Sequence, residues 1–447
     1  MLKIFFSGIG GSGMSALAGF SADKGHIVVG SDRSFDRNPD QPVCEILKAK
    51  GIKIVHQDGS GIDRSFDFAV FSTAIEENQL EVIKAKQLEI PLKTRPQYLC
   101  EIMSEYRTLA VAGTSGKSTI TGMLAFVMNR LGLEPNYIGG GRVKQFKTSK
   151  NPGNSLAGES DFLIVEACES DGSIVNYQPS YSIISNLSLD HNSIEKTAVM
   201  FETLSKNTKE MVIINSDDEN LNRCNFSKTI GFSIDTDSDY RAESIEYQPF
   251  KTKFKLFGID FRLSLPGKYN LYNALSCIAI LSEIGIKLED IAKVMPDFSG
   301  LDRRFDIYLN NGGKLVIDDY AHNPHKIENL IESVKKIRRS ICYIFQPHGF
   351  GPTRLMKQGY IEVFSQQLRE KDHLFLLPIY YAGGTSLRDI SSEDLCREIK
   401  TAGRSVEVLP ERFLLLKRLS TWDAYVVFGA RDESLADFAR EIALRLR

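Results

Sequence analysis

Apolar residues along this chain fall in short runs, each followed by a polar or glycine-rich turn and then by a stretch with apolar positions at helical spacing. That alternation predicts strands leading into helices. Residues 3–7, 28–32, 53–55 and 68–72 read as strands, with 77–87 as a helix and a further short element at 90–92. Residues 109–112, 162–166, 181–186 and 211–215 form a second set of strands, and 270–284 a helix ended by Gly285. Residues 242–265 instead alternate and are rich in aromatics, which predicts antiparallel pairing. A third set of strands follows at 314–319, 341–345, 374–377, 406–409 and 424–429, with a helix over 327–337 and another closing the chain. Buried runs separated by helices predict an α/β fold with mostly parallel sheets covered on both faces. The pattern divides the chain into domains 1–105, 106–305 and 306–447.

A chain of 447 residues is long enough for two or three domains, each with its own core. A hydrophobic share of 42% and a charged share of 25% are ordinary for a soluble globular protein. The formal net charge of -2 gives no support to a nucleic-acid surface, although a local basic groove for phosphorylated small molecules is compatible with it. No apolar run approaches the roughly 20 residues of a membrane-spanning helix. A strand starts close behind Met1, so no signal peptide is expected. Cys44, Cys100, Cys168, Cys224, Cys277, Cys342 and Cys396 are scattered singly, without a C-x-x-C pair. That points to free thiols in a reducing compartment, and away from structural zinc. The expected location is the cytoplasm. Trp422, the only tryptophan, is assigned to packing.

The most informative stretch runs from 109 to 132. A strand is followed by Gly113-Thr114-Ser115-Gly116-Lys117-Ser118-Thr119, then by a helix carrying Met123, Leu124, Val127, Met128 and Leu131, with Gly132 as its stop. Glycines let the backbone approach an anion while amides at the helix start point towards it. Lys117 can reach terminal phosphates, and the hydroxyl of Ser118 or Thr119 can hold magnesium. The common G-x-x-x-x-G-K-[ST] pattern places a glycine where this chain has Val111, so this is a shorter G-T-x-G-K-[ST] variant.

A second glycine loop opens the chain. Gly8, Gly10 and Gly13 satisfy G-x-G-x-x-G between a strand and a helix, and the next strand ends in Asp32. This is a dinucleotide-fold fingerprint. On these residues alone its role is open between a nicotinamide or flavin nucleotide, a nucleotide-sugar diphosphate and a glycine loop that serves packing alone.

Ligands of open parallel sheets bind beyond the carboxyl ends of the strands. Glu166, Asn186 and His191 lie at or just after such ends, in the domain carrying Lys117. Glu166 and His191 would join Ser118 around magnesium, and on chemistry alone Glu169 is as available as Glu166. Arg303-Arg304 fall near a domain boundary, where a cation can clamp a phosphoryl group once domains close. In the last domain, residues 318–324 and 345–349 with Arg354 stand at strand ends. Together these parts suit ATP-driven joining. Phosphoryl transfer converts a carboxylate to an acyl phosphate, and an amine then displaces phosphate to form an amide. Lys117, an arginine and magnesium would stabilise the developing charge, while a carboxylate or imidazole would orient the amine and take its proton. A kinase or a plain ATPase would use the same loop.

Taken together, the motifs resemble the three-domain Mur ligases, which build the peptide of bacterial peptidoglycan. The resemblance rests on GIGGSGMSALA at 8–18, IPLKTRPQYLCEIM at 90–103, AVAGTSGKST at 110–119, VEACESDGS at 165–173 and SNLSLDHNS at 185–193. It continues through LPGKYNLYNALSCIAIL at 265–281, FSGLDRRFD at 298–306, DDYAHNPHKI at 318–327, FQPHGFGPTRL at 345–355 and PIYYAGG at 378–384. It implies a Rossmann-like UDP-sugar domain, a phosphate-loop ATP domain and an α/β domain for the incoming amino acid. The implied activity is an ATP-dependent, ADP-forming ligase acting on the carboxylate of UDP-N-acetylmuramate, with L-alanine the first choice of amino acid. Residue by residue, it implies that Gly10, Gly11 and Ser12, with Asp32, serve the sugar nucleotide, and that Gly113 to Thr119 hold the ATP phosphates. Ser118, Glu166 and His191 would surround magnesium, and Asn270 and Asn273 would lie near adenine. Arg304 would contact the phosphoryl group and Asp319 the ribose. His322 and His348 would stand by the reacting groups, and Arg354 would anchor the incoming carboxylate. Monomer and homodimer both remain open.

Several positions depart from the family pattern. Ser115 replaces a loop histidine, Cys168 an aspartate, Asn323 the second of a histidine pair and Gly349 an arginine, while Gly383-Gly384 alter a late A-G-E motif. These changes leave ATP use in place. They open a second reading, with another amino acid or a recycled peptide as the partner, and a third, a weakened UDP-sugar-binding regulatory paralogue. Because the motifs are divided between domains, rotation of the last domain on binding is expected.

Overall fold

Strands covered on both faces must be apolar almost throughout, and the central strands of the first hundred residues follow that rule, while the edge strands do not. In the computed structural model, which describes residues 1–73, 75–189, 192–381, 387–419 and 421–447, they form a parallel sheet. Its strands are β1 (Lys3–Ser7), β2 (Ile27–Ser31), β3 (Lys53–Val55), β4 (Phe68–Phe71) and β5 (Leu92–Thr94), ordered β3-β2-β1-β4-β5. The order reverses at β1, so the glycine loop between β1 and helix α1 (Ser12–Asp23) occupies a switch point.

The second sheet contains β6 (Arg107–Ala112), β7 (Asn136–Ile138), β8 (Ser155–Leu156), β9 (Phe162–Glu166), β10 (Tyr181–Ile184), β11 (Met211–Asn215), β12 (Thr229–Ser233) and β13 (Tyr240–Arg241). Their order is β13-β12-β11-β10-β6-β9-β7-β8, with only the β7–β8 pair antiparallel. β6 lies between β9 and β10 and leads into α2 (Lys117–Arg130). The expected antiparallel segment forms its own sheet from β14 (Glu243–Gln248), β15 (Lys251–Leu256) and β16 (Ile259–Leu263). Thr252, Phe254 and Leu256 are buried on one face, and the Phe254 ring stacks on Phe261. Helix α3 (Lys268–Glu283) shares one apolar core with α2.

Residues Met1–Leu301 form one compact unit and Asp302–Arg447 another. Within the first, α1 abuts the edge of the second sheet. Asn154 donates to Ser12 O (3.0 Å) and Ser15 Oγ (3.1 Å), and Lys24 donates to Gly158 O (2.7 Å). The second unit has β17 (Asp306–Asn310), β18 (Leu315–Asp319), β19 (Ile341–Gln346), β20 (His373–Leu376), β21 (Val406–Val408) and β22 (Ala424–Gly429). They are ordered β17-β18-β22-β19-β20-β21, parallel except for β17. Trp422 is buried in this unit's core. All seven cysteines are free thiols, and no described helix is long and apolar enough to cross a membrane.

Element ends differ from expectation where a side chain is recruited locally. β2 stops at Ser31 because Asp32 turns to cap the next helix through the Ser34 amide. β10 stops at Ile184 because Asn186 bends onto the phosphate loop. Helix α4 (Pro324–Lys335) starts earlier than its apolar periodicity, capped by Asn323 with proline at its first position.

Candidate functional site

The loop after β6 is shaped by glycine from both sides. Gly113 and Gly116 hold φ of +134° and +88°, and added Cβ atoms would stand 2.1 Å from Ser185 Oγ and 2.5 Å from Asn273 Oδ1. The loop is fixed further from beyond the end of β10. Asn186 Oδ1 accepts the Ser115 N–H (2.8 Å), Asn186 Nδ2 donates to Ser115 O (2.9 Å), and the Thr114 N–H donates to Asn186 O (3.1 Å). Gly116 caps α2 without a side chain, so no side-chain cap competes with an anion for the first helical amides. Ser115 to Thr119 are half-buried along this opening.

Lys117 Nζ reaches Glu169 Oε2 at 2.8 Å and also donates to Gly113 O. Burial alone would lower the Lys117 pKa, but the Glu169 carboxylate, with Cys168 and Glu166 nearby, turns the net shift upward. The ammonium is therefore charged at any physiological pH. The two glutamates that sequence left equivalent have separate settings. Glu169 is buried against Lys117, whereas Glu166 Oε1 accepts the Gly140 N–H (2.6 Å) at the end of β9. Ser118 lies across the same glycine loop: a Cβ on Gly140 would stand 3.2 Å from Glu166 Oε2, and one on Gly141 3.0 Å from Ser118 Cβ. Among the described residues no group of three or more His, Cys, Asp or Glu is assembled for a metal ion. Ser118 and Glu166 nevertheless suit magnesium, which takes few protein ligands and draws the rest from phosphate and water. His191 lies outside the described residues, as do Gly383 and Gly384.

Asn270 and Asn273 are buried on the first turns of α3. Asn270 Nδ2 donates to Pro266 O (2.8 Å), while Asn273 lies against Gly116 of the loop. At the other loop, Asp32 is engaged within the fold. Its Oδ2 accepts the Gly10 N–H (2.8 Å), and its Oδ1 accepts from the Ser34 N–H (2.8 Å) and hydroxyl (2.7 Å). The Gly11 N–H turns back to Gly8 O (3.3 Å), which leaves Ser12 at the uncapped start of α1 as the expected donor nearest an anion. Arg95 lies alongside Gly13 and pairs with Asp171 (2.9 Å), joining the two glycine-loop regions.

In the second unit, the ends of β18, β19 and β22 bring together Tyr320, His348 and Arg431. Arg431 Nε donates to Tyr320 Oη (3.0 Å), and the His348 ring stacks on Tyr380. Burial, helped by Arg431, pushes His348 down to about 4. His322 Nδ1 bonds Tyr320 O (2.8 Å). Arg304 sits 5.0 Å from the Tyr320 ring centroid. Asp319 Oδ2 accepts the Phe305 N–H (2.6 Å) and Oδ1 the Ala321 N–H (2.7 Å). Arg354 is exposed and paired with Asp389, apart from these contacts. Sequence reasoning missed the grip of Asn186 on the loop, the Arg95–Asp171 pair and the burial of Arg303. Only the placement of Asn186 at a strand end gave any signal.

Three family models match the chain in order: "Mur ligase family, catalytic domain" over residues 3–107, "Mur ligase middle domain" over 111–281 and "Mur ligase, glutamate ligase domain" over 303–431. The chain is 32% identical to the UDP-N-acetylmuramate–L-alanine ligase of Sulfurihydrogenibium sp., covering 96% of this chain and 94% of that protein. It is 33% identical to the ligase of the same name from Ruthia magnifica, covering 97% and 95%. The crystal structure of UDP-N-acetylmuramate-alanine ligase from Thermotoga maritima superposes with a TM-score of 0.82 at 25% identity, covering 100% of this chain and 99% of that one. A murein peptide ligase from Psychrobacter arcticus shares the fold, with a TM-score of 0.71 at 22% identity over 100% of this chain and 99% of that one. The chain belongs to the Mur ligase family.

Proposed function

We propose that this protein is an ATP-dependent, ADP-forming ligase that joins L-alanine to the carboxylate of UDP-N-acetylmuramate through an acyl phosphate. One observation carries the reading: relatives bearing that name align with nearly the whole chain. In this reading residues 1–105 bind the UDP-sugar, 106–305 bind ATP and 306–447 receive the amino acid. The start of α1, at Gly10 to Ser12, takes the sugar nucleotide's diphosphate, with Asp32 bracing that loop. Gly113 to Thr119 cradle the ATP phosphates. Lys117 supplies a fixed positive charge for the transferring group, so its pairing with Glu169 keeps it extended towards the loop before substrate arrives. Asn270 and Asn273 support the adenine side, Asp319 the ribose, and Arg304 the phosphoryl group. Magnesium, held by Ser118, Glu166 and His191, would supply charge neutralisation between the phosphates. His348, neutral above about pH 4, can accept a hydrogen bond from the incoming amine, and His322, held on Tyr320 O, is assigned to the reacting groups with it. We place the enzyme in the cytoplasm, where seven free thiols suit a reducing environment.

A second reading is favoured by Arg354. Its ion pair with Asp389 occupies the residue expected to hold the incoming carboxylate, so another amino acid or a short peptide is the alternative acceptor. The test is ATP-dependent phosphate release with UDP-N-acetylmuramate, screened against single amino acids and short peptides, with the product weighed by mass spectrometry. An L-alanyl adduct formed above all others supports the first reading. A different adduct moves the substrate, and no turnover with any acceptor turns the case towards a regulatory paralogue.

A further inference from the structure

Arg303 and Arg304 are neighbours in sequence, and both guanidinium groups lie over the Tyr320 ring, at 5.2 and 5.0 Å from its centroid, but they differ in burial and in polar partners. Arg303 is 4% exposed. Its Nη1 donates to Ala430 O (3.0 Å) and Asp432 O (3.2 Å), and its Nε to Asp318 Oδ1 (3.4 Å). These contacts tie the start of the second unit to the ends of β18 and β22. Arg304, beside the same ring, is only half-buried.

The backbone on either side of Arg304 is left-handed. φ is +56° at Arg303 and +50° at Phe305, a region that non-glycine residues hold only where their surroundings enforce it. Two carboxylates do so here: the Phe305 N–H donates to Asp319 Oδ2 (2.6 Å), and the Arg303 N–H to Asp306 Oδ2 (3.4 Å). Arg304 is thus carried on a short segment pinned at both ends, with the buried Arg303 side chain as its inner anchor.

We propose that Arg303 is a positioning residue, which presents Arg304 to the transferring phosphoryl group through its buried contacts with Asp318, Ala430 and Asp432. Arg303 touches no substrate in this account; it acts through Arg304. The inference rests on the ligase reading given above. It also separates the two arginines by role, so that lysine is no substitute at 303. A single ammonium cannot reach Asp318 and two carbonyls with the geometry of a guanidinium fork.

The test is a double-mutant cycle on the full chain, with R303M, R304A and the double variant compared by kcat for ADP formation, and with thermal melting to establish folding. Positioning predicts that R303M lowers kcat by about 10- to 100-fold in the parent chain. It predicts a further loss under about 2-fold once Arg304 is gone. Equal losses in both backgrounds, or parental kcat in R304A, overturn the proposal. If R303M does not fold, D318N replaces it in the same cycle, retaining volume while removing the carboxyl group that faces Arg303. Failure of the ligase reading would show separately, as absence of amide product from the parent chain. In that event hydrogen exchange at the Phe305 amide decides: R303M should speed it by about 10-fold or more without a matching drop in melting temperature. Unchanged exchange rejects the anchor.

Discussion

Lys117 carries a structural ion pair and the proposed phosphate contact on one side chain. It and Glu169 are largely removed from water, and each is the other's main counter-charge. Removing one partner leaves a buried charge unpaired, which costs about 3–5 kcal/mol, more than a surface pair would contribute. Lys117→Met should therefore lower stability by roughly 3 kcal/mol in urea titrations. It should also abolish measurable ligation, while adding Glu169→Gln restores much of the stability and none of the activity. Stability unchanged in the single variant would sink the assignment of a mutual pair. His348 leads to a pH prediction. Its folded pKa of about 4 lies below the ordinary imidazole value near 6.5, so the unfolded chain binds the extra proton more readily. This group contributes no penalty above the unfolded pKa, and one that grows as pH falls from about 6.5 towards 4. NMR titration should find the imidazole neutral throughout pH 5.5 to 8, with no kinetic limb near 6.5 that His348→Gln removes. Titration of this ring near 6.5 would contradict its buried setting.

At the scale of elements, the glycine loops argue most directly. Gly116→Ala would place a methyl group 2.5 Å from Asn273 Oδ1 in a left-handed residue. The backbone term alone costs about 1–2 kcal/mol, and the clash adds to it. The expected outcome is ATP binding weakened by about tenfold or more in calorimetry. Asn273→Ala in the same chain should not restore parental affinity, since it relieves the clash but leaves φ and removes a side chain assigned to the adenine side. ATP binding at the parental affinity would remove the loop from the site. The strands carrying these loops were legible because buried parallel strands need unbroken apolar runs, as in Leu109 to Ala112. So was the antiparallel segment, whose alternation at Thr252, Phe254 and Leu256 is the burial pattern itself. Other features depended on distant partners. Glu166 and Glu169 are equally acidic in sequence, and only the approach of Gly140 to one and Lys117 to the other separates them. Arg303 became distinguishable from Arg304 only when the chain near Ala430, more than a hundred residues on, came to lie against it. Asp32 reads as a ligand-facing acid at a strand end, yet its oxygens are taken by the loop and the helix they support.

At the scale of the whole molecule, two compact units and a single tryptophan offer a direct test of whether the second unit takes part in ATP binding. Trp422 lies in the core of the second unit, so its fluorescence reports that unit's unfolding, whereas far-ultraviolet dichroism reports both. Chains with more than one compact unit need not unfold in a single step. A ligand at 100 times its Kd stabilises the structure that binds it by about 2.7 kcal/mol. If the phosphate loop alone bound ATP, that stabilisation would appear in the first unit and the fluorescence midpoint would stay fixed. The roles proposed for Arg304 and Asp319 require part of the binding free energy to come from the second unit. Saturating ATP with magnesium should then move the Trp422 transition to higher urea, and Arg304→Ala should reduce that movement while leaving the dichroism shift of the first unit. A tryptophan transition indifferent to ATP would withdraw Arg304 and Asp319 from nucleotide binding. It would leave the ATP site to the first unit alone, to the loop from Gly113 to Thr119 with Asn270 and Asn273.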